Sequence, residues 1–409
     1  MREDRGSHEA TNIWSGILNV RSSIRCVGLC IALCGLAGPA AGDASDEQGR
    51  TITVATWGGP YERSQVKAYF EPFTKATDIR VRTVRYEGGL SELRQQLGTG
   101  EITWDVVDMT MADNRAACRQ GLLEPIDHAI LLPGTDGVPA DEDFLDGALT
   151  ECGVSQIVYA MVTAFNRDAF PGERPARIED IFDVKRFPGK RALQKAPAAN
   201  LEWALVSYGV PREDLYELLS TERGLRLAFR KLDRIRDHVI WWTSIDEPVD
   251  LLVSGKVAIA SQFNGRLFDA AVVHGHPIEI IWDAQLYEFG TWGVTRGSPR
   301  RKEALEFIRF ATGTGPLADQ AGYISYGPTR HSSTRLVSTH AEIGVDMRPH
   351  LPTSSANFRT AILKDTEWYA SLHDRIVARF DAWLGQSETN HTDQATTDAV
   401  AEGQDDRSD

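Results

Sequence analysis

The sequence predicts an α/β protein of two lobes that are joined by more than one crossing of the chain. Residues 51–84 show a strand, a glycine-containing turn, a helix and a second strand, the β-α-β unit that builds parallel sheets. The same order of strand and helix returns along the chain, and a long middle part separates the first units from a final return near Ala284. A chain of 409 residues is also longer than one ordinary hydrophobic core requires.

The first β-α-β unit begins with the β-branched run Thr51–Thr56, which is typical of a short buried strand. The turn Trp57-Gly58-Gly59-Pro60 ends the strand, since glycine permits positive φ and proline lacks a backbone donor. From Tyr61 apolar residues return at helical spacing, and a second strand is predicted at Ile79–Val84. Ligands of open α/β sheets bind at the carboxyl ends of strands, so Trp57 either contacts a ligand or plugs the top of the sheet.

Later segments repeat this pattern of short strands and amphipathic helices. Further strands are predicted at 104–109, 155–165, 238–242, 256–262 and 278–282. Further helices are predicted at 114–122, 201–237, 248–254, 265–274, 300–312 and 365–384. The segment Phe170–Pro197 is rich in Pro, Gly and charge, and we predict only one helical turn within it.

This order of elements predicts the domain boundaries. We expect lobe 1 at 45–154 and 284–345, lobe 2 at 155–283, and a C-terminal helical segment at 346–385 that packs on the lobes. The acidic segment 386–409 contains no aromatic residue and is predicted to be a disordered tail. Two crossings between α/β lobes form a hinge, and the cleft beside a hinge can close on a ligand. The predicted architecture is therefore a clamp.

The N-terminus has the three parts of a secretory signal, predicted at 1–44. Arg21 and Arg25 precede the apolar run Cys26–Ala37, and small residues follow. The run is shorter than the roughly 20 residues of a membrane span, so we predict an exported, periplasmic protein. Removal of the signal leaves Cys118 and Cys152, which in an oxidising compartment form either one disulfide or two buried unpaired thiols.

Composition and motifs exclude several kinds of function. The hydrophobic content of 42% and charged content of 25% are typical of a globular protein, and the net charge of −14 argues against a nucleic-acid partner. No phosphate-binding loop, dinucleotide motif, metal-ligand cluster or nucleophile motif is present, so we predict no cofactor, metal or catalytic residue. Tyr323 and Tyr326 have a spacing that could bind ferric iron, but we favour aromatic packing beneath the turn Gly327-Pro328.

The aromatic residues indicate a cationic ligand. The chain has ten Trp, and several aromatic residues stand at predicted strand ends: Trp57, Trp241, Trp242, Phe263, Trp282, Tyr287 and Trp292. An aromatic face beside a carboxylate attracts a cation through cation–π and charge-assisted contacts. The candidate carboxylates are Glu87, Asp108, Asp246, Asp269, Asp283 and Glu288.

The quoted order of segments resembles a known family. The export signal, TITVATWGGPY and WDVVDMTMADNRAACRQGLLEPID resemble the periplasmic substrate-binding proteins of ABC transporters. DIFDVKRFPGKRAL, LLVSGKVAIASQFNGRLFDA and YEFGTWGVTRGSPRRKEALEFIRFAT are similar to later landmarks of the spermidine/putrescine-binding branch. The resemblance covers residues 51–384 and implies a two-lobe periplasmic-binding-protein fold of type II with hinge crossovers. It also implies a monomer that delivers a small molecule to an ABC permease.

The resemblance also implies site residues. Trp57 matches a Trp of the first binding loop, where Gly58 and Gly59 replace a frequent Ser-Asp. Phe263 matches a ring position, but Arg266 stands where an acidic residue is frequent, and Gly290 replaces a further acidic residue. Arg266 would suit a ligand carboxylate through its planar fork, or would form an ion pair within its lobe.

We therefore predict a ligand that is either a polyamine or a compound with both amine and carboxylate, such as GABA, an opine or a betaine. The predicted ligand-binding residues are Trp57, Gly58, Gly59, Glu87, Asp108, Trp242, Phe263, Asn264, Arg266, Tyr287 and Trp292. Two alternatives remain open: an exported hydrolase that uses Asp283 and Glu288, and a sensory binding protein that docks on a receptor.

Overall fold

The computed structural model describes residues 50–402, and for 386–402 it describes the backbone alone. The predicted export signal and residues 403–409 of the predicted tail lie outside the described residues. The described chain belongs to one compact unit. Within the described residues, no helix is both long enough and apolar enough to cross a membrane.

Eleven strands in the described chain form one mixed sheet. In chain order they are β1 (Thr51–Thr56), β2 (Arg80–Arg85), β3 (Val106–Thr110), β4 (Leu149–Thr150), β5 (Gly153–Asn166), β6 (Arg191–Gln194), β7 (Val239–Trp242), β8 (Ile259–Phe263), β9 (Ile278–Val294), β10 (Gly327–Pro328) and β11 (Ile362–Leu363).

The strand order shows how the chain crosses between two parallel groups. The order is β2-β1-β3-β9-β5-β8-β6-β7, with β4 and β10 on β5 and β11 on β9. β1 is parallel to β2 and β3, and β6 is parallel to β7 and β8. β9 is antiparallel to β3 and β5, and β5 is antiparallel to β8. The long strands β5 and β9 therefore connect the two groups, in agreement with the predicted crossovers.

Fifteen α-helices are described. They are α1 (Gly59–Gln65), α2 (Glu71–Thr77), α3 (Ser91–Thr99), α4 (Met111–Arg119), α5 (Ala140–Asp143), α6 (Asn200–Val206), α7 (Leu215–Leu219), α8 (Glu222–Asp233), α9 (Glu247–Val253), α10 (Asn264–Phe268), α11 (Arg301–Ala311), α12 (Thr314–Gln320), α13 (His331–Leu336), α14 (Ser355–Phe358) and α15 (Thr366–Glu402). A π-helical turn at Val66–Phe70 connects α1 to α2.

Helices cover both faces of the first parallel group. Ile52 and Val54 of β1 belong to the large hydrophobic core, which also holds Tyr69 and Phe73 of the following helical segment. Ala55, with the opposite orientation, packs in a smaller core with residues of α3 and α4. With both faces covered, the carboxyl ends of β1 and β3 are the parts of these strands where polar side chains can meet a ligand.

Some elements differ from the prediction. β6 was not predicted, because it has only four residues and its two ends, Arg191 and Gln194, are polar, which leaves too short an apolar run to indicate a strand. α3 was also missed, because only Leu93 and Gln96 of its residues are buried and its apolar periodicity is weak. β9, predicted as 278–282, continues to Val294. The last helix, α15, continues to Glu402 and so enters the segment predicted as a tail.

The predicted disulfide is confirmed. Cys118, near the end of α4, is bonded to Cys152 with an S–S distance of 2.01 Å, and the alternative of two free thiols is wrong. In the described part of the chain, one group of possible metal ligands comes together: Cys118, Glu151 and Cys152. Both sulfur atoms of this group are bonded to each other in the disulfide, so neither is a free thiolate. The bond joins α4 to the beginning of β5.

Candidate ligand-binding site

A buried carboxylate, Asp108, lies in β3 at the centre of a polar network. Its Oδ2 accepts hydrogen bonds of 2.7 Å from Tyr61 Oη and 2.7 Å from Gln65 Nε2, both on α1. Gln156 Nε2 of β5 donates to Tyr61 Oη at 2.7 Å. Thr56 at the end of β1 donates to Gln65 Oε1 at 2.6 Å, which holds α1 in place. The glycine turn after β1 thus brings the first helix directly above Asp108.

The electrostatics of Asp108 favour a cationic partner. Burial raises its pKa to about 7, although the hydrogen bonds from Tyr61 and Gln65 act in the opposite direction. Its Oδ1 is buried and accepts no hydrogen bond from any described residue. An ammonium group that donates to Oδ1 would stabilise the ionised carboxylate by charge and by hydrogen bonding.

Four partly exposed rings lie beside this network, and we call them the aromatic cluster: Tyr61, Tyr159, Phe263 and Tyr326. The Tyr61 and Tyr326 ring centroids are 5.8 Å apart, and those of Tyr159 are 6.3 Å from Tyr326 and 5.9 Å from Phe263. The rings come from α1, from the middle of β5, from the end of β8 and from the residue before β10. The Tyr61–Tyr326 and Tyr159–Phe263 pairs are edge-to-face and the Tyr159–Tyr326 pair is tilted. Aromatic rings attract a cation to their faces.

A second pair of charges lies further along the same face of the sheet. Glu288 of β9 is directly opposite Tyr159 of β5, so both side chains point to one face. Lys364 Nζ is 2.7 Å from Glu288 Oε1, and both residues line a cavity of about 460 Å³. Burial and then the charge of Glu288 raise the pKa of Tyr159 well above its usual value, which places this charge near the aromatic cluster.

Trp57, predicted as the first binding residue, is partly exposed at the carboxyl end of β1. Its ring packs edge-on against Tyr86 with centroids 4.8 Å apart. Gly58 and Gly59 have φ values of 77° and 65°, so the turn requires residues without a Cβ. Glu87, also predicted, is exposed and ion-paired with Arg85 at 2.9 Å.

Phe263, Asn264 and Arg266, three predicted ligand-binding residues at the end of β8, make different kinds of contact. Phe263 belongs to the aromatic cluster, whereas Asn264 bonds to the backbone at both ends of its amide, accepting from Ala160 N at 2.9 Å and donating to Ser325 O at 2.5 Å. Arg266 is exposed and forms an ion pair with Asp246, as the alternative interpretation expected. Its charge opposes the effect of burial, which raises the pKa of Tyr326, so Arg266 also lies near the cluster.

Trp242, Trp292 and Tyr287 are buried instead in the hydrophobic core. Trp242 is 1% exposed and donates from Nε1 to Ser261 Oγ at 3.2 Å. Trp292 is fully buried and packs against Tyr69 and Phe307. Tyr287 packs on Phe289 and Phe358 and also lines the cavity beside Glu288. An aromatic residue at a strand end shows no sequence sign of which face it occupies.

Sequence reasoning missed several residues of the site. Tyr61 follows Trp57 by one helical turn, and Tyr159 lies mid-strand, so periodicity could have found both. Tyr326 was interpreted as packing beneath a turn, and it does pack, but against Tyr61 and Tyr159. Gln156 carries no sequence signal, because the fold brings it to Tyr61 from a distant segment. Lys364 carries none either, because only the fold pairs it with Glu288.

The two carboxylates of the predicted hydrolase belong to separate networks. Asp283 Oδ2 accepts from Ile178 N at 2.9 Å, while Glu288 is paired with Lys364. The contacts of Asp283 and Glu288 therefore do not join the two carboxylates into an acid–base pair.

Comparison with known proteins also indicates a protein that binds a small solute. Residues 68–353 match the family described as bacterial extracellular solute-binding protein. The chain is 33% identical over 356 residues to the gamma-aminobutyric acid-binding protein of Pseudomonas aeruginosa PAO1, which covers 87% of this chain and 96% of that protein.

Solved structures show the same architecture. An ABC transporter substrate-binding protein from Bradyrhizobium japonicum USDA 110 superimposes with a TM-score of 0.70 at 27% identity, covering 81% of this chain and 99% of that one. A GABA receptor structure gives a TM-score of 0.67 at 27% identity, with coverages of 82% and 97%. These neighbours are two-lobe periplasmic binding proteins, which confirms the predicted fold class.

The predicted closeness to the spermidine/putrescine-binding branch has weaker support. The spermidine/putrescine-binding protein of Streptococcus pneumoniae superimposes with a TM-score of 0.64 over 82% of this chain and 99% of that one. Its sequence identity is only 14%, so the likeness shows the fold alone.

Proposed function

The chain belongs to the family of bacterial extracellular solute-binding proteins, and from this premise we propose that its ligand is a small ω-amino acid of the GABA type. The protein would capture this solute between two lobes in the periplasm and deliver it to the permease of an ABC importer. The GABA-binding relative from Pseudomonas aeruginosa and the GABA receptor structure support this ligand class.

The observation that carries the proposal is the position of Asp108. Its buried carboxylate lies against the aromatic cluster, and the cluster joins residues of the β1–β3 group to Phe263 of β8. Such a site suits an ammonium group: the carboxylate accepts its hydrogen bonds, and the rings surround its alkyl chain.

A diamine such as putrescine is the second candidate, and one specific observation favours it. Glu288 provides another carboxylate on the same face, so two ammonium groups could each find an acid. Lys364, however, already neutralises Glu288 at 2.7 Å and would repel the second ammonium group. The amino acid is therefore the better fit.

Calorimetry and thermal shift of the mature protein with GABA, putrescine, n-butylamine and butyrate test the proposal. A ligand at 100 times its Kd adds about 2.7 kcal/mol of stability, which raises the melting temperature measurably. We expect GABA to bind best, and n-butylamine to bind better than butyrate. Stabilisation by putrescine alone would favour the diamine, and no response to any amine would contradict the role of Asp108.

Recovery of the bound compound distinguishes the open alternatives. A solute-binding protein returns its ligand unchanged after denaturation, as mass spectrometry would show, whereas a hydrolase would release a product. Binding to a purified membrane receptor, with none to a permease, would favour the sensory role.

A further inference from the structure

Gln156 occupies a β-bulge of the crossing strand β5. The pairing with β9 advances two residues on β5, from Ser155 to Ile157, and only one on β9, so Gln156 is the extra residue. A bulge of this kind redirects a side chain out of the regular alternation of a strand. The side chain of Gln156 is fully buried, and its Nε2 donates to Tyr61 Oη at 2.7 Å. The bulge thus brings an amide of β5 to the first helix.

The hydroxyl group of Tyr61 connects Gln156 to Asp108. It donates its single hydrogen to Asp108 Oδ2 at 2.7 Å, so it can only accept from Gln156. The NH2 group of the Gln156 amide must therefore face Tyr61. Its Oε1 is buried, and no described residue donates to it. The three side chains form a hydrogen-bond chain with one direction, from Gln156 through Tyr61 to the carboxylate.

The direction of this hydrogen-bond chain suits an ionised Asp108. An ionised carboxylate only accepts, as the observed direction requires. A hydrogen on Asp108 Oδ2 would instead turn the Tyr61 hydrogen toward Gln156, where it meets an NH2 group and no acceptor. In agreement, burial raises the pKa of Asp108, whereas hydrogen bonding by Tyr61, Gln65 and Gln156 lowers it. The orientation of Gln156 therefore favours the charged form.

The other titratable groups around Asp108 are mostly tyrosines. Four of them have a pKa that is raised first by burial and also by the negative charge of Asp108: Tyr61 on α1, Tyr69 on the π-helical turn, Tyr86 after β2 and Tyr159 on β5. Asp113 of α4 is another carboxylate whose charge acts on Tyr86 and Tyr159. On β9, the residue opposite Asp108 is the neutral Trp292. A probe on the Asp108 carboxyl carbon separates its titration from those of these neighbours.

We propose that Gln156 is a positioning residue of the ligand site: acting through Tyr61, it holds the Asp108 carboxylate in the ionised form that receives the ammonium group of the ligand. Gln156 itself is assigned no contact with the ligand. The ammonium group rests on the proposed function, whereas the effect of Gln156 on Asp108 belongs to the unliganded protein, so the two can be tested separately.

The test follows the Asp108 carboxyl carbon by NMR in a pH titration of the unliganded protein, with Asp108→Asn to identify the signal. Gln156→Met removes the donor to Tyr61 and should raise the titration midpoint by at least about 0.5 pH unit from about 7. Gln156→Glu adds a negative charge at the same place and should raise it further. Gln285→Met is the matched control, because Gln285 is an equally buried glutamine of β9 that donates to two backbone carbonyls. It should leave the midpoint unchanged.

Tyr61→Phe tests the route of the effect. It removes the hydroxyl group that connects the two residues, so Gln156→Met should add no further shift in the Y61F background. An unchanged midpoint in Q156M, an equal shift in Q285M, or an additional shift in the double variant would overturn the inference.

Affinity for GABA provides a second readout by calorimetry. A rise of about 0.5 pH unit roughly halves the ionised fraction of Asp108 at pH 7, so Q156M should bind GABA about twofold more weakly there. At about pH 9 Asp108 is ionised in both proteins, and Q156M should regain the wild-type affinity. A loss that persists at this pH would indicate a merely structural defect and contradict the inference. A wild type that shows the expected titration but binds no amine would contradict the proposed function alone.

Discussion

Asp108 combines a buried position with an oxygen, Oδ1, to which no described residue donates. Its other oxygen is held by Tyr61 and Gln65, so the carboxylate cannot turn toward water. Burial disfavours the charged form and raises its pKa to about 7. The charge state of this residue therefore changes near neutral pH, where a bound ammonium group would favour the ionised form.

The pH dependence of binding follows from this pKa. Below about pH 7 the carboxylate of Asp108 is protonated, so affinity for an ammonium ligand should fall by up to about tenfold per pH unit. Calorimetry between about pH 5 and 8 would measure this slope, which Asp108→Asn should abolish together with most of the affinity. The variant Asp136→Asn, which alters an exposed ion pair with Arg335, should keep it. A flat profile in the wild type would contradict the assignment.

The contribution of Asp108 to the free energy of unfolding should change with pH in the direction opposite to ligand affinity: it falls as the pH rises. Because the folded-state pKa of Asp108 is raised from 3.8 to about 7, protonation favours the folded chain. The contribution of this group is fully present below the unfolded-state pKa and is lost as pH rises through about 7. At neutral pH the buried, ionised carboxylate of Asp108 destabilises the unliganded protein, and an ammonium group bound beside it would offset this destabilisation.

At the scale of elements, β5 and β9 connect the two parallel groups, and their pairing is interrupted in the middle. Residues 282–285 of β9 lie opposite Val162 alone, between the pairs Thr163–Ile281 and Met161–Leu286. Ala284 in this bulge has a φ of 54°, which is uncommon for a residue with a Cβ. Trp203 Nε1 donates to its carbonyl at 2.8 Å and stabilises the bend. The predicted lobe boundary at Ala284 lies at this bulge and remains a prediction.

The disulfide is expected to stabilise the junction between α4 and β5. Cys118 and Cys152 are 34 residues apart, and closing a loop of this size in the unfolded chain contributes about 3 kcal/mol to stability. Denaturation of Cys118→Ala/Cys152→Ala should show this loss in the free energy of unfolding. Ligand affinity should persist, because Asn114 of α4 still donates to Cys152 O at 3.2 Å. Equal stabilities of the oxidised wild type and the variant would refute the expected contribution.

A reductant provides the control for that experiment. It should lower the stability of the wild type toward that of the double variant and leave the variant unchanged. A reductant effect on both proteins would indicate a cause other than this bond.

At the scale of the whole molecule, the candidate site exists because five distant segments meet at the crossing strands. Tyr61 and Asp108 come from the first parallel group, Phe263 from the second, and Tyr159 from β5 between them. Tyr326 returns from the last third of the chain. A ligand in contact with all of them links both groups, so its binding free energy favours the closed arrangement of a hinged protein.

Closure should be visible in solution. We expect the radius of gyration, measured by small-angle X-ray scattering, to decrease when GABA saturates the protein, because the ligand holds the two lobes together. Asp108→Asn, tested at the same GABA concentration, should remain at the value of the unliganded protein. An unchanged radius in a wild type shown by calorimetry to be saturated would contradict the clamp mechanism.

Local patterns in the sequence were sufficient for much of the fold. The β-branched run Thr51–Thr56, the Gly58-Gly59 turn and the order of β-α units specify backbone geometry within a few residues, so they are visible without tertiary contacts. The pairing of Cys118 with Cys152 was one of the two outcomes that the predicted export left open, and the structure confirms it.

The composition of the site was decided only by the tertiary structure. Trp242 and Trp292 stand at strand ends like Trp57, yet they are buried, because the face that a side chain occupies depends on the helices packed over the sheet. Lys364 and Glu288 are 76 residues apart and become partners only when β11 pairs with β9. The sequence by itself determined the first strand, the turn after it and the class of protein, since these depend on neighbouring residues, whereas β6 and the full length of β9 were visible only in the structure. The convergence of Tyr61, Tyr159, Phe263 and Tyr326 beside Asp108 depends on sheet register, which long-range pairing alone determines.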